Sequence, residues 1–214
     1  MRYFWHAIIS IGLLALIVFV FFAFSINVED RITFTDTVDE ITEPTVTIAD
    51  PQQGPSDAPV TIVNFGDYGC AACADLEEAL TAVVNEYGDE IRIVWKDMPN
   101  TTSHPEALNA AMAAHCAAKQ DEEIFFLYHD YLFANQADLG TDLYGSVAEA
   151  LGLQSEKLLR CIENQDTYAL VQRGYDEGIA LKVTATPTLF INGERYTGGM
   201  GVGELKATVR GLLR

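Results

Sequence analysis

Basic side chains are scarce in this chain of 214 residues: 13 Lys and Arg stand against 31 Asp and Glu, a formal net charge of −18. Proteins that bind phosphate backbones need the opposite sign, so the composition argues against a nucleic-acid partner. It also argues against attachment to an anionic lipid surface through a basic patch. Any membrane contact must therefore come from apolar insertion.

Cysteine is sparse as well, with four residues in the chain. Two of them form a CxxC motif, and the remaining cysteines and histidines add no second CxxC and no HxxxH. This lack disfavours a zinc site, which needs four ligands. No metal or other cofactor is expected. The CxxC alone still leaves open a structural bridge, a zinc ligand pair and buried apolar cysteines.

A charge-free apolar run occupies the amino terminus. The 26 residues Tyr3–Val28 contain no Asp, Glu, Lys or Arg, and Arg2 precedes them. A helix of that length would measure about 39 Å, more than the roughly 30 Å hydrocarbon core of a bilayer. Residues 1–28 therefore predict a transmembrane signal anchor, and Ala23 and Ser25 leave a cleaved signal peptide as the alternative. A buried core helix fits poorly, because core helices rarely run this long without a polar face.

Both interpretations export the rest of the chain, because Arg2 remains cytoplasmic and acidic residues follow the apolar run. The globular part is thus expected on the periplasmic or extracellular face, held at the membrane by the N-terminal helix or secreted if that helix is cleaved. Outside the cytosol, paired thiols can persist as disulfides or exchange them. Export therefore makes redox chemistry a natural use of the cysteines.

The rest of the chain divides into a linker and one α/β domain. Residues 29–57 carry eight acidic residues and one Arg, a composition typical of an acidic linker, and Thr45–Ile48 alternates enough for a short edge strand. Residues 58–214 combine predicted strands with helices, and a helical insertion interrupts them at about residues 100–165. The insertion contains three histidines, for which packing or surface roles are expected.

Sequence patterns typical of strands and turns occur near both ends of the domain. The runs Val60–Phe65 and Ile91–Trp95 are rich in β-branched residues and predict two buried strands. Between them, a helix is expected to begin at Cys70. Near the carboxyl end, Asn192-Gly193 predicts a tight hairpin, followed by a last helix at about Val202–Leu213.

The CxxC motif lies at the junction of the first strand and that helix, and this context makes it informative. Unpaired N–H groups and the helix dipole stabilise a thiolate at a helix amino terminus, so Cys70 is the predicted nucleophile. Two intervening residues bring Cys73 round one turn, where it can attack a mixed disulfide. Cys73 is the predicted resolving thiol.

These residues resemble the DsbA-like branch of the thioredoxin superfamily, from FGDYGCAAC at one end of the domain to VTATPTLFINGERYTGG at the other. The resemblance covers roughly Thr45–Arg214 and implies a thioredoxin fold with an inserted helical subdomain. It further implies that Thr186 and Pro187 form a cis-proline loop, which lies against the CxxC and binds an extended substrate segment.

The dipeptide between the cysteines departs from that family. Ala71-Ala72 offers no histidine to stabilise a thiolate, and the nearest charged side chains in sequence are the acids Asp67 and Asp75. Both acids would oppose thiolate formation. We therefore expect a milder oxidant than the strongest members of the family.

A second departure concerns proton transfer. Asn64 stands where many relatives carry a Glu that relays a proton to the resolving thiol, and Asn cannot titrate. Lys96, at the end of the second strand, is the closest basic candidate in sequence. A solvated lysine at a strand end is the alternative, and it is the more common one.

Cys116 and Cys161 form the second pair, since the other two cysteines belong to the CxxC. A bridge between them would close a loop of about 46 residues, which the chain-entropy model values at roughly 4 kcal/mol. Some relatives similarly carry a second disulfide in the insertion. Two separate buried thiols remain the alternative.

The favoured function is an extracytoplasmic thiol:disulfide oxidoreductase that donates its Cys70–Cys73 disulfide to exported proteins with reduced cysteines. Family resemblance implies reoxidation by a quinone-linked membrane oxidase of the DsbB kind. A disulfide reductase or isomerase using the same site is the alternative within this chemistry. A non-catalytic thioredoxin-fold binding or metal-escort module is the alternative from another class. A monomer is expected, because no dimerisation module is evident.

Overall fold

The computed structural model describes residue 6, residues 12–22 and residues 41–214. The chain forms two compact units, Met1–Glu40 and Ile41–Arg214. In the first unit, residues 12–22 are helical and their side chains are exposed. Across the described ranges, no helix is both long and apolar enough to cross a membrane. The predicted anchor at residues 1–28 lies largely outside those ranges.

A mixed five-stranded sheet forms the centre of the second unit, in the order β1-β3-β2-β4-β5. Its strands are β1 (Gln52–Gln53), β2 (Val60–Gly66), β3 (Ile91–Asp97), β4 (Thr188–Ile191) and β5 (Glu194–Thr197). β2 and β3 pair in parallel, whereas the other neighbours pair antiparallel. Val and Ile dominate β2 because helices cover both of its faces. The two predicted buried strands are confirmed.

Seven α-helices lie within residues 41–214. They are α1 (Ala71–Tyr87), α2 (Ala107–Ala118), α3 (Phe125–Ala134), α4 (Thr141–Ala150), α5 (Ser155–Glu163), α6 (Tyr168–Ala180) and α7 (Val202–Leu212). Helices α2 to α5 all lie between β3 and α6, and residues 98–167 contain no strand. The α/β fold with a helical insertion is therefore confirmed.

The two faces of the sheet bury different side chains. On one face, Ile62 and Ile93 pack with Leu76 of α1. On the other, Val63 and Val94 pack with Leu181, which directly follows α6. Because side chains alternate along a strand, consecutive residues within β2, and within β3, point to helices on opposite faces of the sheet.

The insertion packs onto the end of the sheet that carries the CxxC. Nine residues of the alanine-rich α2 are buried, which lets the helix approach its neighbours closely. Its core is continuous with Tyr68, Cys73 and Trp95. His115 of α2 also contacts the carboxylate of Asp97 at the end of β3, with 2.7 Å between His115 Nε2 and Asp97 Oδ2. This packing holds the insertion against the start of α1.

The hairpin between β4 and β5 turns where the sequence predicts. Asn192 and Gly193 have φ values of 47° and 85°, both in the left-handed region. Asn and Gly adopt that region with least strain, so this pair fits a two-residue hairpin. The hairpin prediction is confirmed.

The edge strand predicted at Thr45–Ile48 is wrong: the outer strand is Gln52–Gln53, which pairs with β3. The Asp50 side chain accepts hydrogen bonds from Thr47 N at 2.7 Å and Thr47 Oγ1 at 2.8 Å, which turns the chain instead of extending it. Asp50 is buried, and the second compact unit begins at Ile41. The acidic stretch is therefore part of the globular unit from residue 41, earlier than the expected boundary at 58.

Candidate active site

Cys70 occupies the N-cap position of α1, directly after the turn that follows β2. Its carbonyl oxygen accepts hydrogen bonds from the N–H groups of Cys73 and Ala74, at 3.0 and 3.2 Å. The chain folds this way because the strand ends at Gly66 and the helix needs a residue with extended backbone at its cap. The predicted nucleophile thus lies where the unpaired N–H groups of the first helical turn point.

The two thiols of the motif are unequal. Both are free in this structure, and Cys73 is fully buried whereas Cys70 is 8% exposed. A hydrogen bond from the Cys73 thiol lowers the pKa of Cys70 to about 6, although burial opposes this change. The same bond, together with burial, raises the pKa of Cys73 far above its usual value. The pair therefore holds one stabilised thiolate and one protonated thiol.

The predicted cis-proline loop lies against Cys70. The peptide bond between Thr186 and Pro187 is cis, and Cys70 Sγ lies 3.4 Å from the carbonyl oxygen of Thr186. Gly198 N donates to the carbonyl oxygen of Pro187 at 2.8 Å, which fastens the loop to the end of β5. The fold therefore brings Thr186 and Pro187 together with Cys70, as the resemblance implies.

A residue of the insertion, missed by sequence reasoning, fastens the active-site turn. The side-chain amide of Gln136, which follows α3, donates to the carbonyl oxygens of Tyr68 and Cys70 at 2.7 and 3.0 Å. These bonds fix the backbone of the turn on both sides of Gly69. No sequence signal marks Gln136, because the contact spans 66 residues of chain.

The three histidines of the insertion also have partners that the sequence does not indicate, since each contacts a carboxylate. The pairs are His104 with Asp67, His115 with Asp97 and His129 with Glu77. The Asp67–His104 pair lies nearest the CxxC in the chain. Its carboxylate raises the pKa of Cys70 and so counteracts thiolate formation, as expected, whereas Asp75 is exposed to solvent.

Asn64 faces α1, where its side-chain amide donates to Glu77 Oε1 at 3.1 Å. Glu77 Oε2 in turn lies 3.3 Å from Nε2 of the buried His129. Glu77, His129 and Asp130 offer ligand atoms within 4.8 Å of one another, the arrangement closest to a metal site in the described part of the chain. This group contains no cysteine and lies one helical turn beyond Cys73.

Lys96 is neither solvated nor placed to serve Cys73. It is buried in ion pairs with Asp50 Oδ1 at 3.0 Å and Glu177 Oε2 at 2.7 Å. Glu177 belongs to α6, so Lys96 points to the face of the sheet opposite α1. The expectation of a solvated lysine is wrong, and the candidate role in proton relay is not supported by this geometry.

Cys116 of α2 and Cys161 of α5 are joined by a disulfide, with a Cα–Cα distance of 6.0 Å. The sulfurs lie within the core of the insertion, where both cysteines are buried. The bridge ties the first and last helices of that region. It leaves Cys70 and Cys73 as the free pair.

With this geometry in place, similarity to known proteins identifies the family. A family model described as thioredoxin matches residues 46–210. The chain belongs to the thioredoxin family. The CxxC at the start of α1, the cis-proline loop and the helical insertion are the features that resemble DsbA-like proteins.

Curated relatives of this thioredoxin-family chain are considerably longer than it. The Na(+)/H(+) antiporter NhaA 1 of Salinispora arenicola is 35% identical over 158 residues, which are 73% of this chain and 24% of the antiporter. The Na(+)/H(+) antiporter NhaA of Herminiimonas arsenicoxydans is 31% identical over 146 residues, 68% of this chain and 23% of that protein. The chain thus spans about a quarter of the length of these relatives.

Solved structures share the fold. Oxidised BdbD from Bacillus subtilis has a TM-score of 0.72 at 23% identity, covering 80% of this chain and 96% of that chain. The thiol-disulfide exchange protein alpha-DsbA2 from Wolbachia pipientis has a TM-score of 0.69 at 21% identity, with coverages of 82% and 91%. The catalytic domain of Proteus mirabilis ScsC has a TM-score of 0.65 at 19% identity, with coverages of 78% and 90%.

Proposed function

We propose that this chain is an extracytoplasmic thiol:disulfide oxidoreductase that donates its Cys70–Cys73 disulfide to exported proteins. The observation that carries the proposal is the contrast between the two thiols. Cys70 is partly exposed beside the cis-proline loop and has a pKa of about 6, whereas Cys73 is fully buried and protonated. A thiol pair built in this way can accept one substrate sulfur at a time.

The exchange transfers two electrons from the substrate to the protein. A substrate thiolate attacks Cys70 Sγ, the Cys70–Cys73 bond breaks, and Cys73 leaves as a thiolate that takes up a proton. A second substrate thiolate then attacks the substrate sulfur of the mixed disulfide and expels the Cys70 thiolate. The substrate gains a disulfide, and both cysteines of the protein end reduced.

The stabilised thiolate of Cys70 supports the proposed direction of electron flow. A thiol of lower pKa is the better leaving group, so stabilising this thiolate favours release of an oxidised substrate. Its pKa of about 6 lies between the values of about 7 for thioredoxin and about 3.5 for DsbA. This intermediate value supports a disulfide donor of moderate strength.

The substrate would lie in a groove beside the cis-proline loop. A cavity of about 470 Å³ adjoins Thr186, and its walls include Asn100, Tyr175 and Ile179. Its lining is polar and apolar without a charged side chain, so backbone and apolar contacts would dominate recognition. Such a groove fits an extended segment of an unfolded exported protein.

Turnover requires an electron acceptor outside the chain. A quinone-linked membrane oxidase of the DsbB kind would accept the two electrons from reduced Cys70 and Cys73. An N-terminal anchor at residues 1–28 would hold donor and oxidase in one membrane plane, with the domain on the extracytoplasmic face. The domain would act as a monomer.

The activity is tested by oxidising a reduced, unfolded model protein with stoichiometric amounts of the oxidised full-length chain. We expect disulfide formation with the wild type and none with Cys70→Ser. Cys73→Ser cannot form the Cys70–Cys73 disulfide and should likewise oxidise no substrate. The double variant Cys116→Ser/Cys161→Ser is the matched control and should keep the activity.

Two results would overturn the proposal. One is an unchanged oxidation rate in Cys70→Ser, which would place the chemistry elsewhere. The other is binding of the unfolded protein by wild type and Cys70→Ser alike with no disulfide formed, which would indicate a binding module. Far-ultraviolet circular dichroism of each variant shows whether the fold is intact.

A further inference from the structure

Asp67 places a buried carboxylate at the base of the active-site turn. Its side chain is fully buried and accepts hydrogen bonds from Gly69 N at 2.7 Å and Asn100 N at 2.8 Å. His104 Nδ1 approaches the same carboxylate at 2.9 Å. Two backbone N–H donors and one imidazole nitrogen thus surround this carboxylate.

The charge of Asp67 acts against the thiolate of Cys70. The hydrogen bond from Cys73 is the main reason that the pKa of Cys70 falls to about 6, and the negative charge of Asp67 works in the opposite direction. Cys70 N also donates to the backbone carbonyl oxygen of Asp67 at 3.0 Å, so the two residues are held close together. A cation near Asp67 would therefore favour the thiolate.

His104 is placed to supply that cation. It precedes α2 and packs directly on Gly69, where an added Cβ would come within 2.4 Å of His104 Cβ. Its side chain is 31% exposed, so the imidazole is in contact with solvent. Within residues 41–214, Asp67 is the one charged side chain with which it forms an ion pair. Asp67 and the Cys73 thiol both act on the pKa of the Cys70 thiol.

We propose that His104 is a positioning residue that acts on Cys70 through Asp67: its protonated imidazole balances the buried carboxylate and so favours the Cys70 thiolate. His104 thus provides from the insertion the positive charge that Ala71-Ala72 does not provide from within the motif. The consequence for disulfide donation rests on the proposed function. The effect on the thiolate itself is measurable without any substrate.

A double-mutant cycle on the full-length chain tests this inference. The thiolate of Cys70 is titrated by its absorbance near 240 nm in the reduced wild type, His104→Ala, Asp67→Asn and the double variant. We expect His104→Ala to lower the thiolate fraction at pH 5 about threefold or more, since half a pKa unit is about a threefold change. Asp67→Asn should raise that fraction. In the Asp67→Asn background, His104→Ala should have no further effect.

Two further variants separate charge from structure. His104→Gln keeps an N–H donor without the charge, so it should behave like His104→Ala. Asp75→Asn removes an exposed carboxylate five residues from Cys70 and should leave the titration unchanged. Because the comparison of His104→Gln with His104→Ala does not need Asp67→Asn, the test stands even if that variant fails to fold.

The inference is overturned if His104→Ala leaves the thiolate fraction unchanged, or if its effect persists in the Asp67→Asn background. Full retention of the wild-type titration by His104→Gln would also overturn it, because a hydrogen bond without charge would then suffice. A chain that shows the predicted cycle but oxidises no dithiol would instead refute the proposed function and leave this inference standing.

Discussion

Cys70 Sγ lies 3.4 Å from the backbone carbonyl oxygen of Thr186. The contact joins the beginning of α1 to the loop before β4, which are 116 residues apart in sequence. In the proposed exchange, a substrate cysteine approaching Cys70 would meet backbone groups of the cis-proline loop. This contact positions the Cys70 sulfur beside the cis-proline loop.

The reactivity of Cys70 should depend on pH in the mildly acidic range. Alkylation of the reduced protein by iodoacetamide should reach half its maximal rate near pH 6, because the thiolate is the reacting species. Cys73→Ala removes the main stabilising hydrogen bond and should shift the midpoint upward. A wild-type midpoint near 8.5, the value of an ordinary thiol, would contradict the proposed stabilisation.

The same thiols make the stability of the reduced protein depend on pH. The folded state lowers the pKa of Cys70, so its contribution is present above the unfolded value of about 8.5 and is lost as pH falls through about 6. Cys73 has a raised pKa, so its contribution is lost as pH rises above 8.5. Urea unfolding should show the reduced form gaining stability relative to Cys70→Ser between pH 6 and 8. A flat difference would contradict this linkage.

Gln136→Ala should loosen the active-site turn. The variant loses two hydrogen bonds to Tyr68 and Cys70, and we expect a loss of about 1 to 2 kcal/mol of unfolding free energy. Gln120→Ala is the matched control, because Gln120 makes two hydrogen bonds with the backbone of Gln154. Only Gln136→Ala should change the alkylation rate of Cys70. Equal alkylation rates in both variants would show that the active-site turn does not depend on the Gln136 hydrogen bonds.

The buried ion pairs of Lys96 should matter for stability and not for redox chemistry. Lys96→Met removes the cation from Glu177 and one of the two cations, Lys96 and Arg173, from Asp50, and it should cost about 3 to 5 kcal/mol in urea unfolding. Lys119→Met breaks an ion pair with Asp166 in which both side chains are about half exposed, and it should cost under about 1 kcal/mol. A shift in the reduction potential of Lys96→Met would contradict the placement of Lys96 on the opposite face of the sheet.

Removing the second disulfide should lower stability without abolishing exchange. Cys116→Ser/Cys161→Ser opens the link between α2 and α5, and we expect a loss of about 2 to 4 kcal/mol of unfolding free energy. Thiol counting on the oxidised, unfolded wild type should find no free thiol. Two free thiols there would show that Cys116 and Cys161 are not bridged in solution.

The local elements of the fold were predictable because their signals are local. β-branched runs predicted β2 and β3, and Asn192-Gly193 predicted the hairpin through the left-handed conformation that both residues adopt readily. The CxxC after a strand predicted a cysteine at a helix start. The edge strand was misplaced because Thr47 bonds to the side chain of Asp50, which competes with strand pairing.

The contacts that surround Cys70 were not predictable, because they join distant segments. His104 reaches Asp67 across 37 residues, and Gln136 reaches Cys70 across 66. Lys96 was expected in solvent because most lysines are, yet Asp50 and Glu177 enclose it. None of these pairings leaves a pattern along a single sequence.

The reduction potential of the Cys70/Cys73 pair tests the proposed function most directly. The oxidised full-length chain is equilibrated with glutathione buffers, and the free thiols are trapped and counted at each ratio. A disulfide donor should have a potential between about −120 and −180 mV, the range from DsbA to protein disulfide isomerase. A value near −270 mV, as in thioredoxin, would indicate a reductase and contradict the proposed direction of electron flow.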